Sequence, residues 1–177
     1  MDLNKFTEKA QEALQSAQDL ATMRHHQAVD VEHVAKALME QEGGLVPRLV
    51  EKAKVAPDLF MTRLDDALSK LPQVTGPSES GSGIYVTQRL KKLLVQATER
   101  AKKLKDEYVS VEHLLLAMLE EPADSPIGTI FKSLDLDRKA VEQALTEVRG
   151  NQRVTSANPE ATYEALEKYG RDLTALA

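Results

Sequence analysis

The chain has no cysteine and no tryptophan, and only 4% of its residues are aromatic. Without cysteine there is no disulfide, no thiolate nucleophile and no cysteine-ligated zinc or iron–sulfur site. No apolar run is long enough to span a membrane, and the charged start MDLNKFTEKAQ lacks the apolar core of a signal peptide. We therefore expect a cytoplasmic protein that does not bind membranes.

Positive charge is also scarce, because 23 basic residues face 28 acidic ones and the formal net charge is -5. A nucleic-acid partner is not expected, since binding to phosphates requires a basic surface. Leucine and alanine, by contrast, are abundant, at 24 and 21 residues against 3 isoleucines. Both are strong helix formers, so the composition predicts an all-α fold.

The motifs of an enzyme are missing as well. None of the eight glycines precedes a lysine followed by serine or threonine, which excludes a Walker-type phosphate loop. His33 and His113 are each followed four residues later by alanine, where a zinc-protease helix carries a second histidine. We expect both to be partly buried imidazoles that bond a neighbouring loop and fix the second helix of each repeat against the first. No catalytic residue, cofactor or metal site is expected in this chain.

An internal repeat organises the chain. The segment FTEKAQEALQSAQDLATMRHHQAVDVEHVAKALMEQ, which starts at Phe6, aligns without a gap with VTQRLKKLLVQATERAKKLKDEYVSVEHLLLAMLEE, which starts at Val86. Both segments contain the tripeptide V-E-H, and after one inserted residue the match continues from Leu49 and Ile130. The sequence therefore predicts two copies of one structural unit.

Each copy is predicted to form four helices, which makes eight in all. Thr7 and Thr87 occupy N-cap positions before a long first helix, and Asp30 and Ser110 occupy those before a short second helix. Glycine or proline breaks the chain before each third helix. The apolar residues that recur at helical spacing in the two first helices are Ala10, Ala13, Leu14, Ala17 and Ala21, and Leu90, Leu93, Leu94, Ala97, Ala101 and Leu104.

The domain boundaries follow from composition. The first repeat is assigned to residues 4–71 and the second to residues 85–149, within a single domain over residues 1–150. Residues 72–84, PQVTGPSESGSGI, are rich in proline, glycine and serine and predict a flexible linker. Residues 151–177 predict a second linker with a short helix, and we expect a longer protein to continue beyond them.

Four repeated polar residues have two interpretations. Thr7 and Glu32, like Thr87 and Glu112, lie at helix starts, where threonine caps the helix and glutamate compensates its dipole. If the helix starts face each other, the same residues form an acidic patch that recognises a cationic or polar group of a partner. The residues alone leave both interpretations open.

These motifs carry a family resemblance. FTEKAQEALQSAQDLA, the V-E-H start of the second helix, their second copy from Val86, and the tail YEALEKYGRDLTALA resemble the N-terminal domain of the Clp family of AAA+ unfoldases. The tail, with the EGG and LPQV segments, is most similar to the ClpB type, the protein disaggregases. The resemblance implies two tandem, pseudo-twofold four-helix repeats joined to separate ATPase modules that bind ATP and Mg²⁺. It also implies a homohexamer that acts in the heat-shock response with the DnaK chaperone system, whereas this chain alone is expected to be monomeric.

In the family this domain is not catalytic. The resemblance implies that it binds unfolded or aggregated polypeptide and helps to deliver it to the pore of the hexameric ring. It assigns substrate binding to Thr7, Asp106 and Glu112, with Glu32 and Thr87 as weaker candidates. We expect an apolar groove between the repeats whose acidic rim is formed by Asp106 and Glu112.

Two other functional classes remain open. One is the adaptor- or degron-docking domain of a ClpA- or ClpC-type protease unfoldase, and the other is a small enzyme, for which the catalytic residues are missing. The related ClpC proteins recognise phosphorylated arginine and have threonine before the glutamate of the second helix. This sequence has Val31 and Val111 there, which argues against recognition of phosphorylated arginine.

Overall fold

The computed structural model describes residues 3–74, 84–150 and 154–160, and these form eight α-helices in two groups of four. The helices are α1 (Glu8–Met23), α2 (Val31–Glu40), α3 (Leu45–Lys52), α4 (Pro57–Ser69), α5 (Gln88–Lys103), α6 (Val111–Leu119), α7 (Pro126–Leu134) and α8 (Arg138–Arg149). The predicted all-α fold with eight helices is confirmed. The further short helix predicted within residues 151–177 lies outside the described residues.

The first helix of each repeat begins at the predicted threonine. Thr7 Oγ1 accepts a hydrogen bond from the amide of Ala10, and Thr87 Oγ1 accepts one from the amide of Leu90, both at 3.1 Å. Each bond satisfies an amide that has no partner within the helix. Both helices are 16 residues long, so the repeat holds in structure as well as in sequence.

The second helices begin with an unusual capping box in which histidine takes the place of glutamate. Nδ1 of His33 accepts a hydrogen bond from the amide of Asp30 at 3.0 Å, and Nδ1 of His113 accepts one from the amide of Ser110 at 2.8 Å. The side chains of Asp30 and Ser110 in turn cap the starts of α2 and α6. The predicted N-caps are therefore correct, and the histidines complete them.

Helices α2 and α6 lie at the centre of the fold. Every residue of α2 from 31 to 39 is buried, and so is every residue of α6 from 111 to 118. Helix α1 packs against α2, α5 packs against α6, and the two central helices also contact each other. Because neighbouring elements cover residues 31–39 and 111–118, Glu32, His33 and Lys36 are buried although they are polar.

A small parallel sheet links the repeats, and the sequence did not predict it. Strand β1 (Ala28–Val29) pairs with β2 (Tyr85–Val86), with Val29 opposite Val86. Phe6 forms a matching parallel bridge with Val109, which stands at the position of Val29 in the second repeat. The two pairings are related by a pseudo-twofold axis, since each repeat supplies one segment before its first helix and one before its second.

Aromatic contact and helix packing complete the junction between the repeats. The rings of Phe60 in α4 and Phe131 in α7 meet edge to face, with centroids 5.6 Å apart. Such a pair contributes about 1 kcal/mol beyond the burial of its area. The junction therefore continues the core of each repeat, and neither repeat has to form a complete core alone.

Three of the leucines that recur at helical spacing in the first helices are not fully buried. Leu104 is 41% exposed, because α5 ends at the preceding residue and Leu104 is only its C-cap. Leu14 and Leu94 are partly buried and pack against the core. The start of the predicted flexible linker is bonded to the first repeat, as the amide of Val74 donates to the carbonyl of His25 at 2.7 Å.

Among the described residues, no helix is long and apolar enough to cross a membrane.

Candidate functional site

The starts of the first and second helices meet across the repeats, not within them. The amide of Thr7 donates to the carbonyl of Val109, before α6, at 2.9 Å. The amide of Thr87 donates to the carbonyl of Val29, before α2, at 3.2 Å. The structure therefore brings Thr7 to the start of α6, which carries Glu112, and Thr87 to the start of α2. The polar residues form two clusters, one where Thr87 meets the start of α2 and one where Thr7 meets the start of α6.

The cluster at the start of α2 is closed by an ion-pair network. Thr87 Oγ1 donates to Asp30 Oδ1 at 2.8 Å, and Arg89 donates to Asp30 Oδ2 at 3.1 Å and to Glu32 Oε2 at 3.0 Å. Glu32 is only 3% exposed. Burial raises the pKa of its carboxyl group, and the guanidinium of Arg89 opposes that rise. Arg89 thus compensates two carboxylates that the fold has removed from water.

The cluster at the start of α6 is closed by residues 154–160. Thr7 Oγ1 donates to Glu160 Oε1 at 2.8 Å, and the amide of Val111 donates to the same oxygen at 3.4 Å. The amide of Glu8 donates to the carbonyl of Ala157 at 2.8 Å. Glu160 therefore binds Thr7 at the start of α6 as Asp30 binds Thr87 at the start of α2. Sequence reasoning missed Glu160, and the signal for it is serine at position 110, where the first repeat has Asp30, which binds Thr87 of the second repeat.

Asp106 binds the same C-terminal residues from the other side. Its carboxylate accepts hydrogen bonds from Arg149 at 2.6 and 3.1 Å, from the amide of Val154 at 2.9 Å, and from His113 Nε2 at 2.8 Å. Burial alone raises the pKa of Asp106, but the bonds from His113, Arg149 and Val154 outweigh it and hold the pKa at about 2. Asp106 is therefore ionised, buried and fully bonded.

Glu112 lies behind this set of bonds. It is completely buried, and its Oε1 is 3.7 Å from Nη1 of Arg149. Burial and the neighbouring charge of Glu112 both raise the pKa of Glu160. Two carboxylates thus share a dry region in which Arg149 supplies the opposite charge.

The predicted acidic rim is wrong in its geometry. The side chains of Asp106 and Glu112 have no exposed area, because residues 154–160 and α8 cover them. Where Val111 meets Glu160, between the repeats, the cavity is only about 20 Å³, which is too small for a polypeptide side chain. The structure places Thr7, Asp106 and Glu112 in one region, as the resemblance implies, but as buried contacts. Their part in substrate binding stays a prediction.

The histidine prediction is confirmed, with deeper burial than expected. His33 Nε2 lies 2.8 Å from Nδ1 of His26 in the turn after α1, and His113 makes the equivalent contact to Asp106. Since Nδ1 of His33 accepts an amide hydrogen bond, its proton is on Nε2 and points to His26. Burial, with the neighbouring His26, lowers the pKa of His33 to about 4. Within residues 3–74, 84–150 and 154–160, no group of three potential metal ligands is close enough to hold an ion.

The sequence matches known proteins over its whole length. The family of the Clp repeat (R) N-terminal domain matches residues 5–134. The chain is 53% identical to the chaperone protein ClpB of Nitratidesulfovibrio vulgaris over 98% of its own length, and 50% identical to ClpB of Bacillus cereus over 99%. It spans only 20% of either relative.

Solved structures agree with this match. The Hsp104 N-terminal domain from Candida albicans is 25% identical and superposes with a TM-score of 0.75, over 88% of this chain and 99% of that one. The N-terminal domain of ClpD from Arabidopsis thaliana has a TM-score of 0.61 over 85% of this chain and 98% of that one, and at 18% identity it shows the fold alone. The chain therefore belongs to the family of Clp N-terminal domains, and over nearly its whole length it is similar to part of the ClpB chaperones.

Proposed function

We propose that this domain binds unfolded or aggregated polypeptide on behalf of an ATP-driven disaggregase and helps to deliver it to the pore of the ring. The observation that carries the proposal is the match to ClpB chaperones over nearly the whole chain, at about half of all positions. The ClpV N-domain, which shares the fold, is known in complex with a VipB peptide, so the fold is compatible with a peptide ligand.

The surface supplies the apolar contacts that such binding needs. Aggregated proteins differ from native ones in displaying apolar segments, which bind to exposed apolar residues of a partner. Among the residues that the structure describes, seven large apolar ones are exposed: Leu3, Met23, Leu59, Val74, Tyr85, Val95 and Leu104. Exposed apolar side chains of this kind favour weak binding of many sequences over tight binding of one. Several copies of a weak site on one ring raise the effective concentration of a substrate.

The wider machine is part of the same proposal. We infer a homohexamer assembled through ATPase modules outside this chain, with ATP and Mg²⁺ bound there, acting in the cytoplasm with the DnaK system under heat stress. The domain itself would contribute binding and no catalysis. These points rest on the relatives' identity as chaperones, since the chain spans one fifth of their length.

Thr7, Asp106 and Glu112 have an indirect part in this proposal. Thr7 and Asp106 bond residues 154–160 through Glu160 and Val154, and Glu112 contacts Arg149, the α8 residue that also binds Asp106. We propose that they affect substrate handling by fixing the direction in which the chain leaves the domain. Loss of Thr7 or Asp106 would loosen this anchor without removing a direct substrate contact, and Glu112 acts on it only through Arg149.

Titration of the 177-residue chain with reduced, alkylated α-lactalbumin, which is unfolded, tests the proposal. Native α-lactalbumin is the control. We expect chemical-shift changes at exposed apolar residues and a dissociation constant between about 10 μM and 1 mM for the unfolded form only. Equal binding of both forms, or none at 1 mM, would contradict the proposal.

A second measurement separates direct from indirect roles of the three polar residues. Thr7→Ala, Asp106→Ala and Glu112→Ala are titrated with the same unfolded protein. If the residues act through residues 154–160, each variant of the isolated chain binds within about twofold of wild type. A loss of tenfold or more in a folded variant would instead assign that residue to the substrate contact.

A further inference from the structure

An open groove of about 450 Å³ lies between α1 and α2 of the first repeat. Leu20, Met23 and Ala37 supply its apolar lining, and Met23 is 78% exposed. The carboxylates that line it are those of Glu12, Asp19, Glu40 and Glu42. A space of this size takes several side chains of a peptide. We call it the α1–α2 groove.

Negative charge dominates the α1–α2 groove. Lys36 is the one cation among the described residues that line it, and it is already bound to Glu40 at 3.2 Å and to Asp65 at 2.8 Å. Within the described part of the chain, neither Asp19 nor Glu42 forms an ion pair. The groove therefore combines an apolar floor with carboxylates that have no cation of their own, and it complements a ligand that is both basic and apolar.

The second repeat shows which group fits between such helices. Arg100 in α5 stands at the position of Leu20, and it forms an ion pair with Glu120, which stands at the position of Glu40. Only 14% of the Arg100 side chain is exposed, and its Nη1 also lies 4.0 Å from the carboxylate of Glu142 in α8. The second repeat thus supplies an arginine from its own sequence, whereas the first repeat has leucine there.

We propose that the α1–α2 groove binds a segment of unfolded polypeptide in which an arginine adjoins an apolar side chain. A guanidinium contacts the carboxylate of Asp19 or that of Glu42, and the apolar side chain packs on Leu20 and Met23. Arginine suits the site better than lysine because its planar group forms paired hydrogen bonds with carboxylates and is weakly hydrated. The inference rests on the proposed function and specifies the substrate chemistry of one surface.

The probe is a fluorescein-labelled decapeptide that contains two Arg-Leu pairs separated by glycine and serine. Matched peptides carry glutamate or glutamine in place of both arginines. Anisotropy is measured with the 177-residue chain at 50 and 500 mM salt. We expect the arginine peptide to bind about tenfold more tightly than the glutamate peptide at low salt, and this difference to shrink at high salt.

Two variants locate the binding. Asp19→Lys combined with Glu42→Lys reverses exposed charges and is expected to weaken binding of the arginine peptide about tenfold. Leu20→Arg copies the second repeat and is expected to weaken it by filling the groove. Glu99→Lys is the matched control, because Glu99 is the exposed counterpart of Asp19 in α5 and its variant is expected to bind like wild type. Thermal unfolding checks that each variant is folded.

Each outcome decides the inference. Equal binding of the arginine and glutamate peptides to wild type overturns it, and so does equal weakening by Glu99→Lys and by the double charge reversal. If unfolded α-lactalbumin binds while the arginine peptide shows no preference, the inference fails and the proposed function stands. If neither ligand binds, both fail.

Discussion

Asp106 Oδ2 and His113 Nε2 are 2.8 Å apart, and both side chains are fully buried. The equivalent positions of the first repeat hold His26 and His33, whose ring nitrogens are also 2.8 Å apart. The same contact between the turn and the second helix is therefore neutral in one repeat and ionised in the other. The Asp106–His113 contact has a second role, because the carboxylate of Asp106 also binds Arg149 and anchors residues 154–160.

Removal of the Asp106 carboxylate is expected to destabilise the domain strongly. Asp106→Ala removes the carboxylate that Arg149 binds at 2.6 Å, and breaking a buried ion pair in this way costs about 3 kcal/mol. Urea unfolding of the 177-residue chain measures the loss. Asp124→Ala removes an exposed carboxylate and is expected to change stability by less than about 0.5 kcal/mol. Similar losses for both variants would show that Asp106 is not a structural residue.

Thr7 is expected to hold the C-terminal residues as well as cap α1. Thr7→Ala removes the bond to Glu160 and the N-cap, at a cost of about 1–2 kcal/mol. The amide of Glu8, which is bonded to Ala157, is then expected to exchange its hydrogen faster. Thr87→Ala removes an equivalent cap and is expected to leave this exchange unchanged. If the Glu8 amide exchanges its hydrogen at the same rate in both variants, Thr7 does not hold residues 154–160 in place.

His33 is expected to make stability depend on pH between about 6.5 and 4. Its pKa is about 4 in the folded state against the ordinary histidine pKa of 6.5, so the unfolded chain takes up the proton first as pH falls. Stability is thus complete above pH 6.5 and decreases towards pH 4, by at most about 3 kcal/mol. The lowered pKa of His26 acts in the same direction.

Replacement of His33 by glutamine tests whether His33 causes this pH dependence of stability. His33→Gln retains a side chain that forms hydrogen bonds and does not titrate, so the unfolding free energy is expected to vary less between pH 6.5 and 4. Calorimetry or urea unfolding at several pH values measures the slope. A variant with the slope of wild type would assign the pH dependence to other groups.

Arg89 is expected to matter more as pH rises. Burial raises the pKa of Glu32 above its ordinary value, so its contribution to stability is complete at low pH and decreases as the carboxyl group ionises. Without Arg89 the ionised form loses its partner, and Arg89→Leu is expected to cost about 2 kcal/mol at neutral pH and less at pH 4. Unfolding of Arg89→Leu combined with Glu32→Gln, measured at both pH values, should show a smaller pH dependence. A cost independent of pH would contradict this account.

Much of the fold follows from local sequence. Thr7, Thr87, Asp30 and Ser110 cap helices at the predicted positions, because a cap depends only on neighbours within one turn. The repeat offset of 80 residues also identified the two histidines as equivalent, and His33 makes the turn-to-helix contact that this equivalence implies. The complete burial of α2 and α6 could not be predicted from the sequence, since their polar residues give no sign that both faces of each helix are covered.

The candidate site depends on contacts that no local pattern specifies. The sequence by itself determined an all-α domain of two related four-helix repeats, the helix starts and the polar residues placed there. Only the tertiary structure decided that Thr7 pairs with Glu160, 153 residues away, and that Thr87 pairs with Asp30 of the other repeat. The reason is physical. Helix propensity and helix caps depend on residues within one or two turns. Which helix starts meet, and which carboxylates are removed from water, depends instead on how the two incomplete cores pack against each other.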